Sequence, residues 1–154
     1  MLKIVEARSE DTRALVRELF VEYWNWLGFE PCFEGFDEEL SDLDRSYGPP
    51  HGCMLLALSG PAAAGCVAVR RLSDECCEMK RLYVRPEFRG DRIGLQLVAR
   101  IIDAGRGLGY ACMRLDTLPQ MEKAISLYEC FHFNEIEPYK KDPIPGARYM
   151  ELEL

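Results

Sequence analysis

Long apolar runs are missing from this sequence of 154 residues. No stretch approaches the roughly 18 residues that a membrane-spanning helix requires, and residues 1–6 lack the apolar region of a secretory signal. A hydrophobic fraction of 48% beside 29% charged residues is typical of globular proteins and excludes disorder. We therefore expect one cytoplasmic domain spanning residues 1–154, with no membrane partner.

Metal-binding and disulfide patterns are missing as well. The seven cysteines include no C-x-x-C pair, and the only histidines beside them are His51 and His132. Cys66 and Cys112 lie in apolar, strand-like segments, where cysteine usually behaves as a small hydrophobic residue. The sequence predicts buried, reduced thiols and no metal site, rather than a disulfide framework or a zinc knuckle.

An overall basic surface is also missing. The net charge is −7, and residues 1–75 hold 14 acidic against 7 basic side chains, so we expect no nucleic-acid partner. One local exception is suited either to a phosphorylated ligand or to a solvated face. It comprises five basic residues: Lys80, Arg81, Arg85, Arg89 and Arg92.

Hydrophobic periodicity predicts alternating strands and helices. A first strand ends at Val5, and a helix capped near Ser9 ends near Gly28. The order of elements predicts a mixed α/β layer fold, with a central mixed sheet and helices on both faces. The further predicted elements are a helix over 37–44, strands over 53–58, 65–72 and 77–84, a helix over 92–106, a strand over 111–117, a helix over 121–131 and two strands flanking the turn 143–146.

The strand, loop and helix over residues 78–100 contain the chemically informative segment. A loop that turns directly into a helix presents unpaired N–H groups and the positive end of the helix dipole, and glycines let an anion approach the backbone. This geometry suits a pyrophosphate. The bare pattern R-G-x-x-I-G is weak, and it matches neither a P-loop nor G-x-G-x-x-G.

Residues 79–97 resemble the acyl-CoA binding motif of the GNAT-type N-acetyltransferases, in which a [QR]-x-x-G-x-[GA] loop follows a strand ending in L-Y-V-x-P. Residues 124–133 resemble the family's A-x-x-L-Y-x-x-x-G-F motif. The resemblance implies the GNAT acyl-CoA N-acyltransferase fold, with acetyl-CoA as cosubstrate. Arg92 and His132 stand where the family has glycines, and we expect a helical backbone at Arg92.

In the resembling family, pantetheine lies between two parallel strands that splay apart, here 77–84 and 111–117. The resemblance makes Leu82 and Val84 backbone partners of pantetheine, and residues 89–95 the cradle of the pyrophosphate. The implied cofactor-binding residues are Leu82, Tyr83, Val84, Arg89, Gly90, Asp91, Arg92, Ile93, Gly94 and Leu95.

Two residues are candidates for the catalysis that the resemblance implies. Direct transfer needs a neutral amine, so a base or a water relay must deprotonate an alkylammonium, whose usual pKa is about 10.4. Glu78 is the candidate base, although a salt-bridged glutamate is the alternative. Tyr128 matches the family's tyrosine that protonates the leaving thiolate, although core packing is the alternative.

The acceptor is predicted only by class. The leading expectation is a primary amine of a small molecule or amino acid, and acetylation of a protein N-terminus or lysine is the first alternative. A non-catalytic acyl-CoA sensor is the second, and a homodimer is possible because dimers are common in this fold. An aromatic and acidic zone that suits a cationic amine comprises Trp24, Trp26, Phe29, Glu30, Phe33, Glu34 and Phe36.

Overall fold

The structure is a computed structural model that describes residues 1–31, 33–141 and 143–154. Cys32, one of the seven cysteines, lies outside the described residues. The described chain forms β1 (Leu2–Glu6), α1 (Glu10–Leu27), α2 (Phe36–Ser41), α3 (Leu43–Tyr47), β2 (Cys53–Ser59), β3 (Ala62–Arg71), β4 (Cys76–Val84), α4 (Ile93–Gly107), β5 (Cys112–Thr117), α5 (Glu122–Cys130), β6 (Asn134–Ile136) and β7 (Arg148–Glu153).

Two local predictions differ from the structure. The helix expected over 37–44 is two helices, because Asp42 leaves the helical conformation at φ −149° and its carboxylate accepts a hydrogen bond from the Arg45 N–H at 3.3 Å. The strand expected just before the turn 143–146 ends much earlier, at Ile136. The described residues 137–141 and 143–147 belong to the connection between β6 and β7 and form no strand.

The seven strands form one mixed sheet in the order β1-β2-β3-β4-β5-β7-β6. Its parallel pair is β4 and β5, which is in register only from Cys76 to Glu78 on one strand and from Cys112 to Arg114 on the other. Beyond those residues the two strands separate. This splay leaves the later part of β4 without a neighbour on one side.

Helices cover both faces of the sheet, as predicted. The cluster under α4 and α5 includes the buried residues Leu97, Ile101 and Tyr128, whereas the cluster under α1, α2 and α3 includes Phe20 and Trp24. Burying a side chain of this size stabilises the fold by about 1.5–3 kcal/mol. These two cores hold β4 between them, so both faces of the splayed strand are fixed.

The expectation that all thiols are reduced is wrong at one pair. Cys76 and Cys112 face each other in the parallel register of β4 and β5, with Cα atoms 4.7 Å apart, and form a disulfide. The two cysteines are 36 residues apart in the sequence, so the local pattern did not indicate this contact. The cross-link lies at the end of β4 and β5 where the strands are still paired.

Arg92 and His132 both adopt the left-handed backbone conformation, with φ values of 59° and 72°. The helical backbone expected at Arg92 is therefore wrong. Glycine adopts this region at no steric cost, whereas a β-carbon costs about 1–2 kcal/mol there. The chain keeps the shape that glycine favours at both positions without having glycine.

Replacing His132 with glycine is expected to stabilise the protein. His132 is exposed, and removing its β-carbon relieves the left-handed strain, while the extra freedom of the unfolded chain offsets part of the gain. We expect His132→Gly to raise the free energy of unfolding by about 0.5–1 kcal/mol in urea titrations. The control His132→Ala keeps the β-carbon, and an equal gain from it would contradict this explanation.

Candidate functional site

A groove of about 800 Å³ runs from the splay of β4 and β5 to the start of α4. One wall is the end of β4, another is the loop before α4, and a third is the start of α5. Nine of the ten predicted cofactor-binding residues line it: Leu82, Tyr83, Val84, Arg89, Gly90, Arg92, Ile93, Gly94 and Leu95. Asp91, the tenth, does not line the groove.

The N-terminus of α4 is open toward this groove. No side chain of the described residues caps the helix, and the Gln96 N–H is the first in it to find a backbone acceptor, the Arg92 carbonyl at 3.2 Å. The N–H groups before it carry the positive end of the helix dipole. Such a terminus binds anions, and Gly90 at φ 99° shapes the loop that leads into it.

The predicted basic group is largely neutralised. Lys80 and Arg81 are buried, and Arg85 is paired with Glu18 and Glu22. The two members that line the groove are Arg89 and Arg92. The expected island of five cations is therefore wrong.

Arg89 is held in place at the groove. Its Nε donates to the Val84 carbonyl at 3.0 Å, and its guanidinium lies 5.6 Å from the ring centre of Trp26 and 5.9 Å from that of Tyr83. A guanidinium fixed in this way adds positive charge next to the helix terminus.

A smaller inner cavity of about 60 Å³ lies where β4 and β5 separate. Tyr23, Leu82 and Met121 line both this cavity and the groove, so the two spaces adjoin. The charged groups on its wall come from separate parts of the chain: Glu34, Lys80, Arg81 and Asp116.

Tyr128 reaches the inner cavity from α5. The residue is 6% exposed, its ring packs edge-on against Phe133 at 5.8 Å, and burial raises the pKa of its phenol. A phenol with a raised pKa keeps its proton at neutral pH. Tyr128 is therefore both a packing residue and a cavity residue.

Glu78 lies beside the inner cavity but does not line it. Its carboxylate is fully buried and accepts hydrogen bonds from the Tyr139 hydroxyl at 2.6 Å and the Arg70 Nε at 2.9 Å, with the Lys140 Nζ at 3.3 Å. Burial raises its pKa, but Lys80, Arg70, Lys140 and the Tyr139 hydroxyl together lower the pKa to about 2. The role of Glu78 as base stays a prediction.

Sequence reasoning missed the position of Lys80, which lines the inner cavity. Lys80 is 9% exposed, and its Nζ is 3.7 Å from the Asp116 carboxylate, which also accepts a hydrogen bond from Lys140 at 3.1 Å. Burial is the largest effect on Lys80 and lowers its pKa to about 8. Alternation along β4 places Glu78 and Lys80 on one face, and this was the available signal.

The aromatic and acidic zone is divided between core and surface. Trp24 and Phe36 are buried, whereas four members are exposed: Trp26, Glu30, Phe33 and Glu34. Trp24 stacks on Phe36 at 4.2 Å, and the guanidinium of Arg81 lies 4.9 Å from the Trp24 ring centre while it pairs with the buried Glu39. Of the predicted zone, Trp24, Phe29 and Glu34 line the inner cavity, and Trp26 lines the groove. The remaining described members, Glu30, Phe33 and Phe36, line neither space.

No cysteine in residues 1–31, 33–141 and 143–154 lines either space. Burial raises the pKa of Cys53 to about 11 and that of Cys77 to about 12, and it raises the pKa of Cys66 further. Thiols of this kind stay protonated and are poor nucleophiles. The described site therefore holds no cysteine suited to form a covalent acyl-enzyme.

The low pKa of Glu78 predicts a loss of stability in acid. The contribution of Glu78 is complete above its ordinary value of 4.5 and disappears as the pH falls through about 2. We expect the wild-type free energy of unfolding to fall by about 3 kcal/mol more than that of Glu78→Gln between these pH values. Urea titrations measure this difference. The exposed control Glu75→Gln should behave like the wild type, and parallel curves for wild type and Glu78→Gln would contradict the prediction.

Comparison with known families decides the classification. The model of the Acetyltransferase (GNAT) family matches residues 13–133. The chain belongs to the GNAT acetyltransferase family. The predicted family, fold and enzyme class are thereby confirmed, and this family uses acetyl-CoA as its cosubstrate.

Individual acetyltransferases are similar to this chain in sequence or in structure. An uncharacterised N-acetyltransferase of Schizosaccharomyces pombe is 46% identical over 147 residues, covering 94% of this chain and 88% of that protein. IAA acetyltransferase of Azospirillum brasilense is 28% identical over 158 residues, covering 100% of each. A Streptococcus agalactiae acetyltransferase shares the fold, with a TM-score of 0.81, 20% identity and coverage of 99% and 98% of the two chains. Among the described helices, none is long and apolar enough to cross a bilayer.

Proposed function

We propose that this GNAT enzyme transfers the acetyl group of acetyl-CoA to the primary amine of a small molecule or amino acid. The observation that carries the proposal is the junction between the groove and the inner cavity. A long cosubstrate in the groove would present its thioester at the junction, and an amine in the inner cavity would meet it there. Transfer is direct, in a ternary complex, because the described cysteines do not reach either space.

We assign the pyrophosphate of the cosubstrate to the backbone of residues 89–95. The open start of α4 and the fixed guanidinium of Arg89 support this assignment. The pantetheine arm would follow the backbone of Leu82 and Val84, where β4 has no neighbour on its splayed side. Two solved acetyltransferase structures of similar fold contain such ligands: acetyl-CoA in the Elizabethkingia anophelis protein and coenzyme A in the Thermoplasma acidophilum protein.

The assignment of the pyrophosphate predicts the ranking of three ligands. Calorimetry should show CoA binding at least about 100-fold tighter than pantetheine, which has no phosphate, because several charge-assisted hydrogen bonds are lost. Dephospho-CoA is the matched control, since it keeps the pyrophosphate and should bind much closer to CoA. Equal affinities for CoA and pantetheine would contradict the assignment.

Tyr128 is proposed as the acid that protonates the leaving thiolate. Its phenol lines the inner cavity and keeps its proton, because burial raises its pKa. The resemblance assigns the same role to this position. The carboxylate of Glu78, the base predicted from the sequence, is occupied by three partners.

The size of the inner cavity favours an acceptor with a slender, unbranched amino end. A space of about 60 Å³ admits an amino group and its first methylene groups, but no bulky neighbour of the amine. An unbranched primary amine fits this description. A protein lysine also ends in such a group, so acetylation of a protein remains the alternative that the experiment must address.

The test is a thiol-release screen with acetyl-CoA. Polyamines, amino acids and aminoglycosides form one arm, and peptides with free N-termini or internal lysines form the other. We expect turnover in the small-molecule arm. Turnover confined to peptides would favour the alternative acceptor, whereas tight CoA binding without turnover would favour a sensor.

A further inference from the structure

We infer that the Lys80 amine, rather than the Glu78 carboxylate, accepts the proton of the acceptor ammonium. This inference rests on the proposed function, because it names a catalytic residue for the same transfer. The position of each side chain relative to the inner cavity carries it. Lys80 lines that cavity and Glu78 does not.

Glu78 is already occupied by other groups. Tyr139, Arg70 and Lys140 surround its carboxylate, and the residue is fully buried. A base must come within about 2.6–3.2 Å of the proton it removes, or reach it through one water. An enclosed carboxylate that lines neither space does not meet this condition. Glu78 acts as a positioning residue whose charge holds the neighbouring amines.

Lys80 meets the geometric condition. It lies at the splay of β4 and β5, on the wall of the cavity that Tyr128 also lines. Its closest carboxylate, that of Asp116, is 3.7 Å from Nζ, which is longer than a direct hydrogen bond. The Asp116 carboxylate therefore lies close to the amine without a direct hydrogen bond to it, on a residue that lines the cavity.

Burial and the surrounding charges together bring the pKa of the Lys80 amine close to neutral pH. Burial and the cations Arg81 and Lys140 lower its pKa, whereas Glu78 and Asp116 raise it, and the result is about 8. Glu34, Tyr23 and Tyr128 also face the cavity, and burial raises the pKa of both phenols, so they stay neutral. A base with a pKa near the working pH is the most effective proton acceptor.

The proton balance of the transfer is complete with these groups. The acceptor ammonium gives one proton to the neutral Lys80 amine, and the resulting free amine attacks the acetyl carbonyl. The C–N bond forms and the C–S bond breaks. The thiolate takes a proton from Tyr128. The nitrogen then loses its second proton, and this proton restores the Tyr128 phenol. Lys80 finally releases its proton to water.

The alternative role for Lys80 is that of a permanent cation that binds an anionic group of the acceptor. Lys80→Met removes the amine in both cases, whereas Lys80→Arg keeps a positive charge that does not titrate. A base role predicts that both variants lose about 10²- to 10⁴-fold in kcat/KM. Recovery to within threefold of the parent by arginine would overturn the inference.

A change of acceptor separates the base role from a structural role. We would compare an alkylamine found in the screen with a fluorinated analogue whose amine pKa lies below about 7 and which is already neutral. The loss caused by Lys80→Met should shrink to less than about tenfold with the analogue. An equal loss with both amines would contradict the inference. Lys3→Met, at an exposed lysine on β1, is the matched control and should leave turnover unchanged.

A final measurement needs neither a variant nor an acceptor. Competitive labelling of the full chain with trace isotopic acetic anhydride, read by peptide mass spectrometry, follows Lys80 against pH. We expect its reactivity to rise with a midpoint near pH 8, below that of a free lysine amide standard at about 10.4. A midpoint at or above the standard would overturn the inference even if the screen identifies an acceptor. Failure of the screen alone would count only against the proposed function.

Discussion

Tyr128→Phe is expected to lower kcat by about 10²- to 10⁴-fold. The substitution keeps the ring that packs against Phe133 and removes only the hydroxyl at the inner cavity. The leaving thiolate then lacks its acid, whereas the groove for the cosubstrate is unchanged. The affinity for CoA should therefore stay nearly the same.

Steady-state kinetics and calorimetry of the same variant separate these effects. Tyr110→Phe is the matched control, because its hydroxyl donates to the His51 carbonyl at 2.7 Å and lines neither space. We expect the control to keep its turnover. A Tyr128→Phe enzyme within about threefold of the parent would leave Tyr128 as a packing residue and assign protonation to water.

Glu39→Gln is expected to cost about 3–5 kcal/mol of stability. Glu39 accepts two hydrogen bonds from Arg81, at 2.9 and 2.8 Å, and both side chains are more than nine-tenths buried. The glutamine side chain is uncharged, so the buried Arg81 guanidinium loses its counter-charge. Because domains are stable by only about 5–15 kcal/mol, this is a large share of the total.

The same pair lies at an irregular point of β4. Arg81 has φ 62°, at the place where the register between β3 and β4 shifts. Urea titration measures the loss, and the exposed neighbour Glu38→Gln should stay within about 0.5 kcal/mol of the wild type. A loss below about 1 kcal/mol for Glu39→Gln would show that the buried pair contributes little.

The groove could be predicted from the sequence because its information is local. Residues 82–95 follow one another as strand, loop and helix, and nine of the ten predicted binding residues do line the groove. The backbone at Arg92 was mispredicted, because nothing in the local pattern shows that an arginine takes up a left-handed conformation.

The acceptor side was harder to predict because its contacts connect distant segments. The Lys80 amine lies near Asp116 on another strand, and Lys140, in the connection between β6 and β7, pairs with the same carboxylate. The Tyr139 hydroxyl reaches Glu78 from that same connection. The sequence pattern within β4 does not show contacts with distant segments. Glu78 was therefore chosen as the candidate base for its residue type, and Lys80 was not considered.

The central claim is that this site joins an acetyl group to an amine. Its most direct test is a reaction of ¹³C-acetyl-CoA with an amine from the screen, followed by NMR for the acetamide carbonyl and by a thiol reagent for free CoA. The proposed function predicts one acetamide for each thiol released, and both signals should fall together in Tyr128→Phe. Thiol release without acetamide would mean hydrolysis, and it would contradict the proposed transfer.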